Sequence, residues 1–235
     1  MAKANTPSRA RHLLRYAAAT ALAAAVALTV LVPAAGAERP GGRPTAPPTF
    51  TPVTATGALT AQSRSCALNV LVQAFASLGD AADYTLVPGG GLTDMTGWTL
   101  AGGAGIVPGG APSLGGDTSA LSLPNGSSAT TGAMCVTVDY PLLRFYARNA
   151  GASTSKLKVE VLLEDLRGNT QALPIATLTG SAAWQPTAPI RIWANLRALI
   201  SSTKTAAIAF RFTPQGSGGQ WQIDEIYVDP FKGFR

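Results

Sequence analysis

"KLKVEVLLED", residues 156–165, decides the fold. At a period of two, Leu157, Val159, Val161 and Leu163 fall on one face, and Lys158, Glu160, Leu162 and Glu164 fall on the other. The preceding run "LLRFYARN", 142–149, repeats the pattern, with Leu143, Phe145 and Ala147 against Arg144, Tyr146 and Arg148. Further on, "IAFRF" sets Ile208, Phe210 and Phe212 against Arg211. Strands with one apolar and one polar face are what two antiparallel sheets packed face to face require.

Outward from these runs, the chain after Asp80 is a series of short apolar alternations cut by Gly, Pro, Asn and Asp. "DYTLVP", "GWTLAGGAGIV", "SALSLP", "MCVTVD", "TQALPIATL", "PIRIWA" and "WQIDEIYVDP" complete a set of about ten candidate strands. The alternation of helix and strand that builds parallel sheets is missing, which disfavours Rossmann and α/β-barrel folds, and no repeat of 20–50 residues recurs. The expected architecture is an all-β antiparallel sandwich over 83–232.

The N-terminal part reads differently. Lys3, Arg9, Arg11 and Arg15 precede the apolar stretch "YAAATALAAAVALTVLV", and "AGA" at 35–37 offers small residues for cleavage, so 1–37 is expected to be a secretory signal peptide. The alternative, an uncleaved anchor, needs roughly 20 strongly apolar residues, and this stretch is Ala-rich and slightly short. Residues 38–62, with five prolines, read as a Pro/Thr/Gly-rich linker, flexible or polyproline-like. In the lead-in segment 63–82, "CALNVLVQAFASLGD" fits helical spacing through Leu68, Leu71, Val72 and Phe75, and fits alternation through Cys66, Leu68, Val70 and Val72. A short helix or an irregular stretch is expected there.

Removing the leader takes away four of 18 Lys+Arg and none of 12 Asp+Glu, so the net charge becomes 14 − 12 = +2. No Lys/Arg run remains to track phosphates, which argues against nucleic acid as a partner. His12, the only histidine, lies in the leader, so a His-dependent triad is excluded from the exported chain. Export also predicts that Cys66 and Cys135, the only cysteines, form a disulfide. Two buried thiols and a redox pair are the alternatives, and neither is supported by a C-x-x-C spacing.

Taken together, "YTLVPGGGLTDMTGWTLAGGAGIV", "SALSLP", "LRFYARNAG", "LKVEVLLED", "AIAFRFTP" and "WQIDEIYVDP" resemble jelly-roll domains of the carbohydrate-binding-module and galactose-binding-like type over roughly 83–230. Two departures stand out: Leu92 and Thr93 occupy the place of a Phe-Glu pair, and Glu225 replaces the second Asp of the closing strand. The resemblance implies a jelly roll acting as a secreted or surface-associated, non-catalytic module for carbohydrate or another cell-envelope polymer, with no membrane partner after cleavage. The alternatives are a structural envelope protein without a small ligand and a carboxylate-dependent glycan-active enzyme. It also implies a structural calcium at Asp224, with Asp94 or Asp117 as a second carboxylate. Against this stands a reading in which Asp224 accepts backbone hydrogen bonds at a strand bulge.

Site candidates follow from side-chain chemistry. Trp184, among turn residues in "SAAWQPTAP", offers a ring for sugar stacking. On the closing strand one register puts Trp221, Glu225 and Tyr227 on one face as an aromatic–carboxylate–aromatic row, extended by Arg144, Tyr146, Arg148 and Glu160 if they share the sheet. A competing register buries Trp221 and Ile223 and uses a bulge at Asp224–Glu225 to return Ile226 and Val228 to the core. For an enzyme, Glu160 and Glu164 stand roughly 13 Å apart along one strand, beyond the inverting range of roughly 6.5–9.5 Å. A Glu160–Glu225 pair across strands competes with ordinary ion pairing to Arg144, Arg148 or Arg211.

Overall fold

The computed structural model of the protein describes residues 70–112, 118–137, 142–165, 169–193, 196–200 and 204–229. All of them belong to the compact unit Phe50–Arg235. Residues 1–37 and 38–62, expected to be a signal peptide and a linker, together with Cys66 and Asp117, lie outside the described residues. A 3-10 turn, Ala76–Leu78, precedes the strands β1 (Thr85–Leu86), β2 (Thr99–Ala101), β3 (Gly105–Pro108), β4 (Ser119–Pro124), β5 (Ser128–Thr130) and β6 (Met134–Val136). The long strands β7 (Leu142–Asn149), β8 (Lys156–Glu164) and β9 (Thr170–Leu178) follow, then β10 (Gln185–Pro186), β11 (Ile190–Arg191), the helix α1 (Leu196–Ile200), β12 (Ala206–Gln215) and β13 (Gln220–Asp229).

The strands form two antiparallel sheets, as the alternating pattern requires. One has seven strands in the order β10-β7-β13-β4-β3, with β1 beside β13 and β11 beside β7. The other has six in the order β2-β5-β12-β8-β9, with β6 beside β12. The chain changes sheet at the corner between β4 and β5, where Gly126 takes a φ of 80°. Pro174 sits in β9 at the outer edge of its sheet, where a missing N–H costs no ladder bond to a further strand.

Between the sheets lies one core. Leu143, Phe145 and Ala147 of β7 meet Leu157, Val159 and Val161 of β8 and Ile208, Phe210 and Phe212 of β12, all in one buried cluster. Phe145 and Phe212 meet edge to face with centroids 5.2 Å apart, a favoured arrangement of ring quadrupoles. Among the described residues no helix is long and apolar enough to cross a membrane.

The closing strand adopts the bulged register. Trp221, Ile223, Ile226 and Val228 all join the core, and the pairing of β13 with β7 slips between Asp224 and Tyr227. Glu225 takes a φ of 52° at the slip. An alternating strand cannot send both 223 and 226 to one side. The extra residue at the bulge restores the apolar face after the carboxylate pair has left it.

Candidate functional site

The outer face of the seven-stranded sheet gathers the candidate residues. Because their odd-numbered neighbours fill the core, Arg144, Tyr146 and Arg148 of β7 point outward, and the bulge turns Tyr227 of β13 the same way. Tyr146 opposes Asp224, Arg144 opposes Tyr227, and Arg148 opposes Gln222 across the β7–β13 ladder.

The segment 72–84 lies over Arg144, Tyr146 and Tyr227. The Phe75 ring stacks on Tyr146 at 5.7 Å and 24°, and meets Tyr227 edge-on at 5.8 Å. Tyr84 flanks both, 4.9 Å from Phe75 and 6.4 Å from Tyr227. The Arg144 guanidinium lies 4.1 Å from the centre of the Phe75 ring and pairs through Nη1 with Oδ2 of Asp80. Its Nε–H donates to the carbonyl of Thr187 at 3.0 Å, while the Tyr84 hydroxyl donates to the same Asp80 Oδ2 at 2.7 Å.

Burial raises the Asp80 carboxyl, but the Tyr84 hydroxyl, the Ala82 N–H and the Arg144 guanidinium together outweigh it and leave its pKa lowered. Burial lifts the Tyr84 phenol, and its bond to Asp80 lifts it further. Tyr227 is raised by burial and by its hydrogen bond to Glu225, and Tyr146 by burial and the nearby Glu225 charge. These phenols hold their protons through the neutral range.

Beyond this covered region, the same face presents Arg148, Gln222 and Trp184, all half-buried. The Arg148 Nε–H donates to Oε1 of Gln222 at 2.7 Å, and its guanidinium lies 5.0 Å from the Trp184 ring centre. Ser122 of β4 stands opposite Gln222 on the other side. This row crosses three strands with one ring, one guanidinium, one amide and one hydroxyl. It can stack an apolar sugar face and exchange hydrogen bonds with hydroxyls.

Two expected platform residues lie elsewhere. Trp221 is 0% exposed, in the core, with its indole N–H donating to Ser155 Oγ at 3.0 Å. The ring fills its slot so closely that a Cβ at Gly180 would come within 2.7 Å of it. Glu160 belongs to the six-stranded sheet, where Lys158 Nζ and Arg211 Nε reach its two oxygens at 2.9 and 2.8 Å. Burial raises this carboxyl, and the two cations outweigh burial and lower it. A Glu160–Glu225 pair does not form, since β8 and β13 are in different sheets. Of the predicted binding residues, Trp184, Tyr146, Arg144 and Tyr227 do share one face.

The predicted calcium ligands divide. Asp224 is fully buried; its Oδ2 accepts the Ala111 N–H and its Oδ1 accepts the Glu225 N–H, both at 2.8 Å. Asp94 is exposed and accepts the N–H and hydroxyl of Thr96. Among the described residues, no three His, Cys, Asp or Glu side chains gather into one group, and Asp117, the other predicted carboxylate, lies outside them. Cys135 lies on β6 opposite Ala207, and no described cysteine is free.

Phe75, Asp80 and Tyr84 escaped the sequence reading. Their partners on the sheet, Arg144, Tyr146 and Tyr227, lie more than 60 positions away, and the i, i+4 spacing of Asp80 and Tyr84 is the one local hint of a latch.

No protein-family model matches the chain, and no curated protein is found similar to it. Among solved structures it is similar to several carbohydrate-binding modules and to the enzymatically active domain of a bacteriophage tailspike protein. It is similar to the C-terminal family 22 carbohydrate binding module of a Clostridium thermocellum protein at 16% identity, over 60% of this chain and 90% of that one, with a TM-score of 0.42. It is similar to a xylan-binding domain from Paenibacillus barcinonensis at 16% identity, over 58% and 87%, with a TM-score of 0.41. A family 11 module from Clostridium thermocellum, in complex with a mixed-linked tetrasaccharide, matches at 8% identity over 60% and 93%, with a TM-score of 0.38.

Proposed function

We propose that this chain is a secreted, non-catalytic module that binds a polysaccharide across the outer face of its seven-stranded sheet, at Trp184, Arg148, Gln222 and Ser122. The supporting observation is the Arg148 guanidinium set against the Trp184 ring while its Nε–H is held by Gln222. A cation fixed over an indole makes a rigid edge, and rigid aromatic edges bind sugar rings with little ordering cost. The face offers stacking and hydrogen bonding. Cleavage after Ala37 and a Cys66–Cys135 disulfide belong to the same reading of an exported protein.

Retention on insoluble cell-wall and plant polysaccharides tests this. Wild type is expected to be retained on at least one of them, and Trp184→Ala and Arg148→Ala to lose about tenfold or more in affinity, since stacked rings and their partners dominate such contacts. A second reading, a structural envelope protein without a small ligand, is favoured by the cover that 72–84 places on Tyr146 and Tyr227. Retention on no polysaccharide would support that reading and overturn the first.

A further inference from the structure

The segment that covers the face is attached to it in an unusual way. Among the described residues, the backbone hydrogen bonds of 72–84 close on the segment itself: Val72 and Tyr84 exchange both at 2.8 Å, and Leu78 and Asp80 donate to Phe75. Pairing with β13 begins only at Thr85, opposite Val228. What holds 72–84 to the sheet is therefore side chains: the Phe75 ring on Tyr146 and Tyr227, and the Arg144–Asp80–Tyr84 latch. Its 3-10 turn buries no residue, and Val70, Leu71, Val72 and Leu78 are exposed apolar side chains with no place in the core. A segment bonded to itself, continuous with β1 at Thr85 and fastened to the sheet by side chains, breaks no ladder hydrogen bond when it opens, and its opening uncovers the buried Phe75 and Tyr84 rings.

What it hides is chemically continuous with the open row. Tyr146 lies two residues before Arg148 on β7, on the same face, and packs in one cluster with Tyr227, beside Trp184. Phe75 takes on Tyr146 the stacked position that a ligand ring would take.

Resting on the glycan-binding reading above, we propose that residues 72–84 are a displaceable strap that covers Arg144, Tyr146 and Tyr227 beside the open row, and that its opening exposes Tyr146 and Tyr227 to stack further sugars of a longer chain. With the strap closed, the site takes a short stretch of glycan at Trp184. With it open, the platform extends over three more side chains, Tyr146, Tyr227 and Arg144. Because the closed state competes with long ligands only, weakening the latch raises affinity for long oligosaccharides by the factor in which it raises the open population.

Asp80→Asn and Tyr84→Phe weaken the latch while leaving every side chain of the sheet face in place. Their melting and circular dichroism should confirm folding. Hydrogen exchange at the Val72 and Tyr84 amides is expected to quicken about tenfold, with the β7 and β13 amides unchanged. Titration with xylohexaose and cellohexaose is expected to show about three- to tenfold tighter binding than wild type, with xylobiose and cellobiose unaffected. Unchanged exchange at Val72 and Tyr84 in both variants overturns the strap, and so does quickened exchange with no gain for either hexasaccharide. Trp184→Ala separates the two ideas. If it abolishes binding while the latch variants change nothing, the binding site stands and the strap falls; if it leaves binding intact, the site itself is misplaced.

Discussion

The two outer faces of the sandwich begin from the same sequence pattern and end in different states. On the six-stranded sheet, Lys158, Glu160 and Arg211 satisfy one another in an ion triad beside a small patch of Leu162, Ala209 and Ala133. On the seven-stranded sheet the alternating positions carry Arg144, Tyr146, Arg148 and Tyr227, and the chain spends thirteen further residues, 72–84, to cover three of them. Opposite charges across neighbouring strands complete a face by themselves. Large amphipathic rings do not, and they need either a segment of the chain or a ligand. That contrast is why the binding role is proposed for the second face.

The largest expected effect tests the cover. Phe75→Ala removes a fully buried ring and is expected to lower stability by about 3 kcal/mol or more, in the range for large-to-small aromatic truncation, measured by urea unfolding. Lys158→Ala, on the other face, should cost only about 1 kcal/mol or less, since its ammonium is the most exposed member of the triad and Arg211 still holds Glu160. Equal costs would erase the distinction between a face built on packing and one built on charge.

Alkaline pH sharpens the same comparison. Tyr84 and Tyr227 are raised in the folded state, so their contribution is fully present below the ordinary phenol value of about 10 and is lost as pH rises through the folded pKa. The melting temperature is expected to fall steeply above about pH 10, and less steeply in Tyr84→Phe. Acid acts on both faces. Asp80 and Glu160 are lowered, so their contributions are present above the ordinary carboxylate range near 4 and are lost as pH falls through the folded values. Protection of the Val72 and Tyr84 amides, corrected for the intrinsic pH dependence of exchange, should then fall on acidification in wild type toward the level of Asp80→Asn, whose own protection changes little.

Much of the fold was legible because alternation alone assigns faces: Leu157, Val159 and Val161 went inward and Lys158 and Glu160 outward, as written in "KLKVEVLLED". The bulge was legible as one of two registers, since only an extra residue returns Ile226 and Val228 to the core. The site was half legible. Trp184, Tyr146, Arg144 and Tyr227 meet on one face; Trp221 had a place in either of two registers and takes the buried one, and Glu160, joined to the row only if the strands shared a sheet, pairs instead with Arg211, one of its three candidate partners. Sequence gives each strand's two faces and leaves open which strands share a sheet. The strap was illegible for the same reason, as Phe75 and Asp80 act through partners that only the sheet order brings near.

The smallest expected effect concerns calcium. Asp224 has two backbone N–H donors where a cation would otherwise sit, so EDTA is expected to leave the melting temperature unchanged. A fall on chelation that added calcium reverses would place an ion at that bulge.

The assignment of the binding face stands or falls on which indole responds to sugar. Nitrogen–proton spectra of labelled protein, titrated with xylohexaose and with cellohexaose, report the side-chain N–H of each tryptophan separately. Trp184 is expected to shift with at least one of the two, while Trp221, bonded to Ser155 inside the core, stays fixed. A titration in which Trp184 does not move, or in which only the 55% exposed Trp193 does, would contradict the account.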